Sequence, residues 1–174
     1  MERLTLKDEE YPFTGFTHTR KIARAILLFP EGIAIHTLHR DDKFGNQTYL
    51  ETPGGGVDEG ESFEEAVVRE CLEETGYQVE VIAPILEVED AYNLIGRKNI
   101  NRYFLCRPIK KKEKHFASLG DTYIQHTDIV PLDELISLYE KQDDHGVAGL
   151  VKRRELPVLL KTRELLCAQA FSVL

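Results

Sequence analysis

The sequence predicts an α/β fold in which helices pack on the faces of a mixed β-sheet. Three observations carry this prediction. Short apolar or alternating runs recur along the chain between turn residues, the pattern of strands. Other segments carry helix start and stop signals. Some strand signals are neighbours across a tight turn while others are separated by a helix, so hairpins and crossovers belong to one sheet. The 174 residues suffice for one domain with a sizeable core. No internal repeat or low-complexity linker divides them, so a single domain over residues 1–174 is expected.

Taken in order, "KIARAILLF" (21–29) reads as a strand and "PEG" (30–32) as a turn. "IAIHTLHR" (33–40) alternates apolar with polar residues and completes a hairpin. "DDKFGN" (41–46) is a loop, and "QTYLE" (47–51) is a short strand running into a proline and three glycines. Ser62 and Glu65 form a capping box, each side chain satisfying a backbone donor of the first helical turn. Gly76 supplies the left-handed stop, so a helix is expected over 63–75. "YQVEVIAPILEVED" (77–90) gives one or two strands, "NRYFLCRPI" (101–109) another, and "KKKEK" (110–114) a loop. "TYIQHTDIV" (122–130) is a further strand, and "PLDELISLYEKQ" (131–142) a helix with Pro131 near its first turn. A final helical region covers about 150–171 and restarts at Pro157.

Composition is globular, with 42% apolar and 30% charged residues. The net charge of −8 argues against a chain that coats nucleic acid, which carries a basic face. The opening "MERLTLKDEE" is polar and lacks the apolar core of a signal peptide. The apolar run "AILLF" is too short to span a bilayer. Cys71, Cys106 and Cys167 form no CxxC pair and suit reduced thiols. The expectation is therefore a cytoplasmic chain, with no membrane and no nucleic-acid partner. A homodimer is the default assembly.

The helix at 63–75 raises the functional question. On a helical wheel Glu70, Glu73 and Glu74 fall within one arc, and Val67, Val68, Cys71 and Leu72 fill a separate one. The apolar arc can dock on a sheet and leave the carboxylates at its border. Carboxylates three or four residues apart lie about 5–6 Å from each other. At an effective dielectric near 20 each pair repels by about 3 kcal/mol, against a few tenths in open water. A solvated acidic face tolerates that. A cleft does not, and a divalent cation relieves it; hard oxygen donors favour Mg²⁺ or Mn²⁺.

The stretch reads Gly55, five residues, Glu61, seven residues, Arg69-Glu70-Cys71, one residue, Glu73-Glu74, one residue, Gly76-Tyr77. It resembles the Nudix box, the signature of the Nudix hydrolases. Seven fixed identities at background frequency give chance matches on the order of 10⁻⁸ per start position. Cys71 and Tyr77 stand where the pattern asks for apolar residues, and both can be buried. The resemblance implies an α/β/α sandwich around a mixed β-sheet. It also implies metal-dependent cleavage of a diphosphate linkage in a nucleoside diphosphate derivative, a small-molecule substrate.

Matched position by position, the resemblance makes Glu70, Glu73 and Glu74 metal ligands, with the Gly54 carbonyl as a backbone ligand. Glu70 or Glu73 doubles as general base, and the choice stays open. Arg69 orients a catalytic glutamate, or pairs with Glu65 or Glu73 at helical spacing. Glu61 braces the loop. Gly55 and Gly56 let backbone approach phosphate closely. Tyr49, near the family's usual tryptophan, and Arg97, near a loop, are the substrate-binding candidates; Lys98 and Arg102 lie beside Arg97. Asp121 and Asp128 are candidates for a further metal carboxylate, each read otherwise as a turn or surface aspartate. No histidine spacing marks a ligand. Two other readings share the fold: a non-catalytic nucleotide-binding module, which usually loses box glutamates, and an isoprenyl diphosphate isomerase, which needs a cysteine in the pocket.

Overall fold

A computed structural model describes residues 1–114 and 120–168. Its strands are β1 (Arg3–Thr5), β2 (His18–Phe29), β3 (Gly32–Asp42), β4 (Gly45–Glu51), β5 (Gly54–Gly56), β6 (Tyr77–Tyr92), β7 (Arg97–Lys111) and β8 (Ile124–Val130). The helices are α1 (Phe63–Thr75), α2 (Leu132–Lys141) and α3 (Gly146–Cys167). The main sheet runs β1-β6-β7-β2-β3-β4, with β5 on β2 and β8 on β3. The sheet is mixed, as expected: β1 lies parallel to β6 and β2 parallel to β7, and the other pairs are antiparallel.

Alternation along β2 divides the molecule into layers. Ala23, Ala25, Leu27 and Phe29 face α1, where they bury Ala66, Val67 and Cys71. Ile26 faces the opposite way, into the larger core built with α2 and α3. Helices thus cover both faces, which is the α/β/α sandwich. Arg20, Ile22 and Arg24 share the Ile26 side of the strand and line a cavity there.

Local signals placed α1 correctly. Ser62 accepts from Glu65 N–H at 3.1 Å while Glu65 accepts from Ser62 N–H at 2.8 Å, and Gly76 closes the helix at φ 75°. Elsewhere the chain departs from expectation. The loop at 41–46 is only a tight turn, because β3 reaches Asp42 and β4 starts at Gly45. Residues 77–90 form one strand, whose irregular registers at Val81/Ala83 and Pro84/Leu86 absorb the proline. Lys110 and Lys111 extend β7. The last helix starts at Gly146 and runs through Pro157 without restarting. Arg154 and Glu155 before the proline, and Val158 and Leu159 after it, are all buried. Tertiary packing on both sides offsets the one missing backbone hydrogen bond. No helix among the described residues is long and apolar enough to cross a membrane.

Candidate functional site

The buried face of α1 differs from the predicted one. Glu70 and Glu74 are each only 6% exposed, on the same side as Val67 and Cys71, whereas Val68 and Leu72 are half-buried. The carboxylates are therefore driven into the sheet rather than left at its border. What they meet is the glycine strand. A Cβ on Gly55 would lie 2.6 Å from the Glu70 carboxylate carbon, and one on Gly54 would lie 2.2 Å from the Ala23 carbonyl oxygen. Gly54 also sits at φ 139°, which L side chains rarely adopt. At Gly54 only glycine lets β5 lie against β2, and at Gly55 a side chain would displace the Glu70 carboxylate.

Each carboxylate has a distinct setting. Glu74 Oε2 accepts the Gly54 N–H at 2.8 Å and lies 3.1 Å from His36 Nε2; His36 Nδ1 lies 2.9 Å from the Thr127 hydroxyl. Burial pushes the Glu70 carboxyl up to about 7, against the opposing hydrogen bond from Arg69. Arg69 is the brace. It donates to both Glu61 oxygens at 2.9 and 2.8 Å, to the Gly56 carbonyl at 2.9 Å, to Glu70 at 2.8 Å and to Glu73 at 3.4 Å. Its fork joins the start of the motif to the helix; Glu65 is occupied by the capping box instead.

Glu70, Glu73 and Glu74 all line one cavity of about 490 Å³, together with Gly54, Gly55 and Gly56. Among the described residues no three His, Cys, Asp or Glu side chains are clustered tightly enough to hold a metal ion as they stand. The donor chemistry nonetheless fits a hard divalent cation. Two carboxylates are desolvated against the same glycine wall, and Glu70 is destabilised as an anion there.

The remaining candidates separate. Tyr49 and Arg97 both line the cavity, although Tyr49 is buried. Lys98 pairs with Glu89, and Arg102 pairs with Glu87 and covers Phe63, so neither reaches it. Asp128 lies outside as well, exposed and 3.1 Å from His126. Its alternation on β8 points it away from the site. The Asp121 side chain lies outside the described residues. No cysteine of the described residues lines the cavity; Cys71 and Cys106 are buried and Cys167 is exposed.

Sequence reasoning missed the polar floor. Glu51 Oε1 accepts from Arg24 at 2.6 Å and from Arg154 at 2.5 Å. Arg154 also donates to Tyr92 and Tyr103 hydroxyls, each at 2.9 Å. Glu155 accepts the N–H and hydroxyl of Thr52 at 2.9 and 2.8 Å, and Arg24 donates to the Thr52 carbonyl at 2.9 Å. Every polar group of the residue just before Pro53-Gly54 is thereby fixed. The available signals were an arginine inside an apolar strand and an Arg-Glu pair on the buried side of a helix. His36 gave none, since β3 is buried on both faces.

A glutamate helix braced on a glycine strand, within an α/β/α sandwich, is the frame of the Nudix fold. The NUDIX domain model matches residues 19–152, and the chain belongs to that family. The NUDIX hydrolase of Nitrosomonas europaea superposes with a TM-score of 0.65 over 84% of this chain and 90% of that one, at 16% identity, which shows the shared fold. A candidate 8-oxo-dGTP diphosphatase of Bacillus subtilis (strain 168) is 67% identical over 33 residues, 19% of this chain and 22% of that protein. An RNA pyrophosphohydrolase of Wolbachia pipientis subsp. Culex pipiens (strain wPip) is 50% identical over 42 residues, 24% of this chain and 26% of that protein. The matches thus span about a quarter of either relative.

Proposed function

We propose that the chain is one Nudix domain acting as a metal-dependent diphosphohydrolase. Its substrate is a small nucleoside diphosphate derivative. Water oxygen bonds to phosphorus, the bridging P–O bond breaks with its electron pair going to the leaving phosphate, and the water proton passes to a base. The observation that carries this reading is the burial of Glu70 and Glu74 against the glycine strand at the cavity wall. Both curated relatives bear names for cleavage of diphosphate linkages, which supports it.

In this reading Glu70, Glu73 and Glu74, with the Gly54 carbonyl, hold Mg²⁺ or Mn²⁺. When bound, the cation supplies charge neutralisation at phosphoryl oxygens and a water of lowered pKa. Arg69 fixes Glu70 and Glu73 relative to the loop, so the carboxylates need no reorganisation during reaction. Gly55 and Gly56 admit phosphate to the backbone. Glu70 or Glu73 accepts the proton. Tyr49 and Arg97 position the substrate.

A screen of nucleoside diphosphate derivatives with Mg²⁺ and Mn²⁺ tests this. Turnover is expected, abolished by EDTA and lowered at least ~10²-fold by Glu74→Gln. Unchanged turnover in that variant removes Glu74 from the mechanism. Tight nucleotide binding with no turnover across the screen favours a non-catalytic module.

A further inference from the structure

The cavity has a second polar wall that the carboxylate mechanism does not use. Arg24, Arg40, Arg69 and Arg154 all line the cavity, and each already holds a carboxylate. Arg20 and Arg97 line it too, yet neither makes a hydrogen bond or ion pair among the described residues. Arg97 Nε is buried without a partner, and its guanidinium lies 5.0 Å from the Tyr92 ring centroid.

The strand register brings these groups together. In the parallel β2–β7 ladder His18 stands opposite Arg97, and Arg20 opposite Asn99. Arg97 and Asn99 share one face of β7 by alternation. Asn99 is fully buried, and both its amide nitrogen and its amide oxygen lack partners. Asn99 does not line the cavity, so among the described residues the groups left open to a polar ligand on this wall are the Arg20 and Arg97 guanidinium groups. Burial holds the Arg97 guanidinium below its usual pKa, and repulsion from Arg20 adds to that. Asp90 accepts from Asn101 at 2.7 Å through Oδ1, while its Oδ2 lies 3.5 Å from Arg154 and is buried without a hydrogen-bond partner.

This wall is separated from the carboxylates by the glycine strand itself. The Cβ direction of Gly55 meets Glu70, and that of Gly56 meets Arg20 Nη2 at 3.1 Å. We infer that Arg20 and Arg97 form an anion subsite that binds a phosphate group directly, without metal. Resting on the diphosphohydrolase reading, the consequence is a substrate class. The cleaved diphosphate occupies the carboxylate wall, and a further phosphate occupies the arginine wall. That favours nucleoside triphosphates and polyphosphates over nucleoside diphosphates joined to a neutral sugar.

Inorganic pyrophosphate titrated calorimetrically into the full chain in EDTA tests the subsite without catalysis. Binding is expected, weakened about tenfold in Arg20→Gln and in Arg97→Gln, the loss of one charge-assisted contact. Arg20 is exposed and makes no hydrogen bond among the described residues, so its variant keeps the wild-type urea midpoint. No binding by the wild type, or equal affinity in Arg20→Gln, overturns the subsite. The class is tested by the ratio of kcat/KM for a nucleoside triphosphate to that for a nucleoside diphosphohexose. Arg20→Gln should lower this ratio at least about tenfold. Equal losses on both substrates overturn the class, as does Arg20-dependent binding of an uncharged nucleoside, which would make the wall a base reader. If nothing turns over, the diphosphohydrolase reading fails while the pyrophosphate titration still decides the subsite.

Discussion

Replacing Glu155 by alanine should cost this protein far more stability than any surface change. The side chain is completely buried on α3. Its Oε2 accepts from Thr52 N–H at 2.9 Å and from the Tyr139 hydroxyl at 2.5 Å. Its Oε1 accepts from the Thr52 hydroxyl at 2.8 Å and the Tyr103 hydroxyl at 3.2 Å. Alanine leaves the Thr52 N–H and the Tyr139 hydroxyl orphaned, at about 1–3 kcal/mol each. It also leaves Arg154, 1% exposed, with one fewer carboxylate. Breaking a buried ion pair by removing one partner costs about 3–5 kcal/mol in total. For a chain this long each kcal/mol moves Tm by about 2–4 °C, so Tm should fall by about 6–20 °C. Thermal unfolding followed by circular dichroism, with urea midpoints alongside, measures this. Glu155→Gln, which keeps one acceptor, should lose less. A Tm drop under about 3 °C for Glu155→Ala would refute the claim that Glu155 clamps Thr52.

Gly55→Ala should fold, since the Cβ meets only the end of the Glu70 side chain, but it displaces that carboxylate and should lower metal-dependent turnover at least ~10²-fold. Arg69→Lys should lower kcat about tenfold or more, because an ammonium cannot span Glu61, Gly56 and Glu70 as the fork does; wild-type kcat in that variant would end the bracing role. In EDTA the folded Glu70 binds its proton more tightly than the unfolded chain does, since burial raises its carboxyl to about 7. Its contribution to stability is then full below the ordinary carboxyl value of 4.5 and is lost as pH rises to about 7. Wild-type urea midpoints should fall relative to Glu70→Gln across that window, and parallel pH profiles would contradict the shift.

What could be read from the chain was local. Ser62, Glu65 and Gly76 act within one turn of their own helix, so the sequence alone bounds α1 at 63–75. Which face of α1 is buried depends on β5, a strand made legible only by its pairing with β2. The Glu155–Thr52 contact joins residues 103 positions apart, and no periodicity records such a distance. Arg20 and Asn99 meet through a parallel ladder, which needs a long crossover and leaves no turn signal. Of the two candidates for a further carboxylate, Asp128 takes the surface alternative, because strand alternation turns it outward to His126.

The two-sided character of β2 also guards against misassembly. Sliding β2 by a single residue against β7 would swap its faces. Arg24 would then enter the space now filled by Ala23 and Ala25, beneath Val67 and Cys71, with Glu51 out of reach. A lone cation sealed under a helix is among the costliest errors a core can contain. The guanidinium that now rests on Glu51 therefore proofreads strand alignment as the chain assembles.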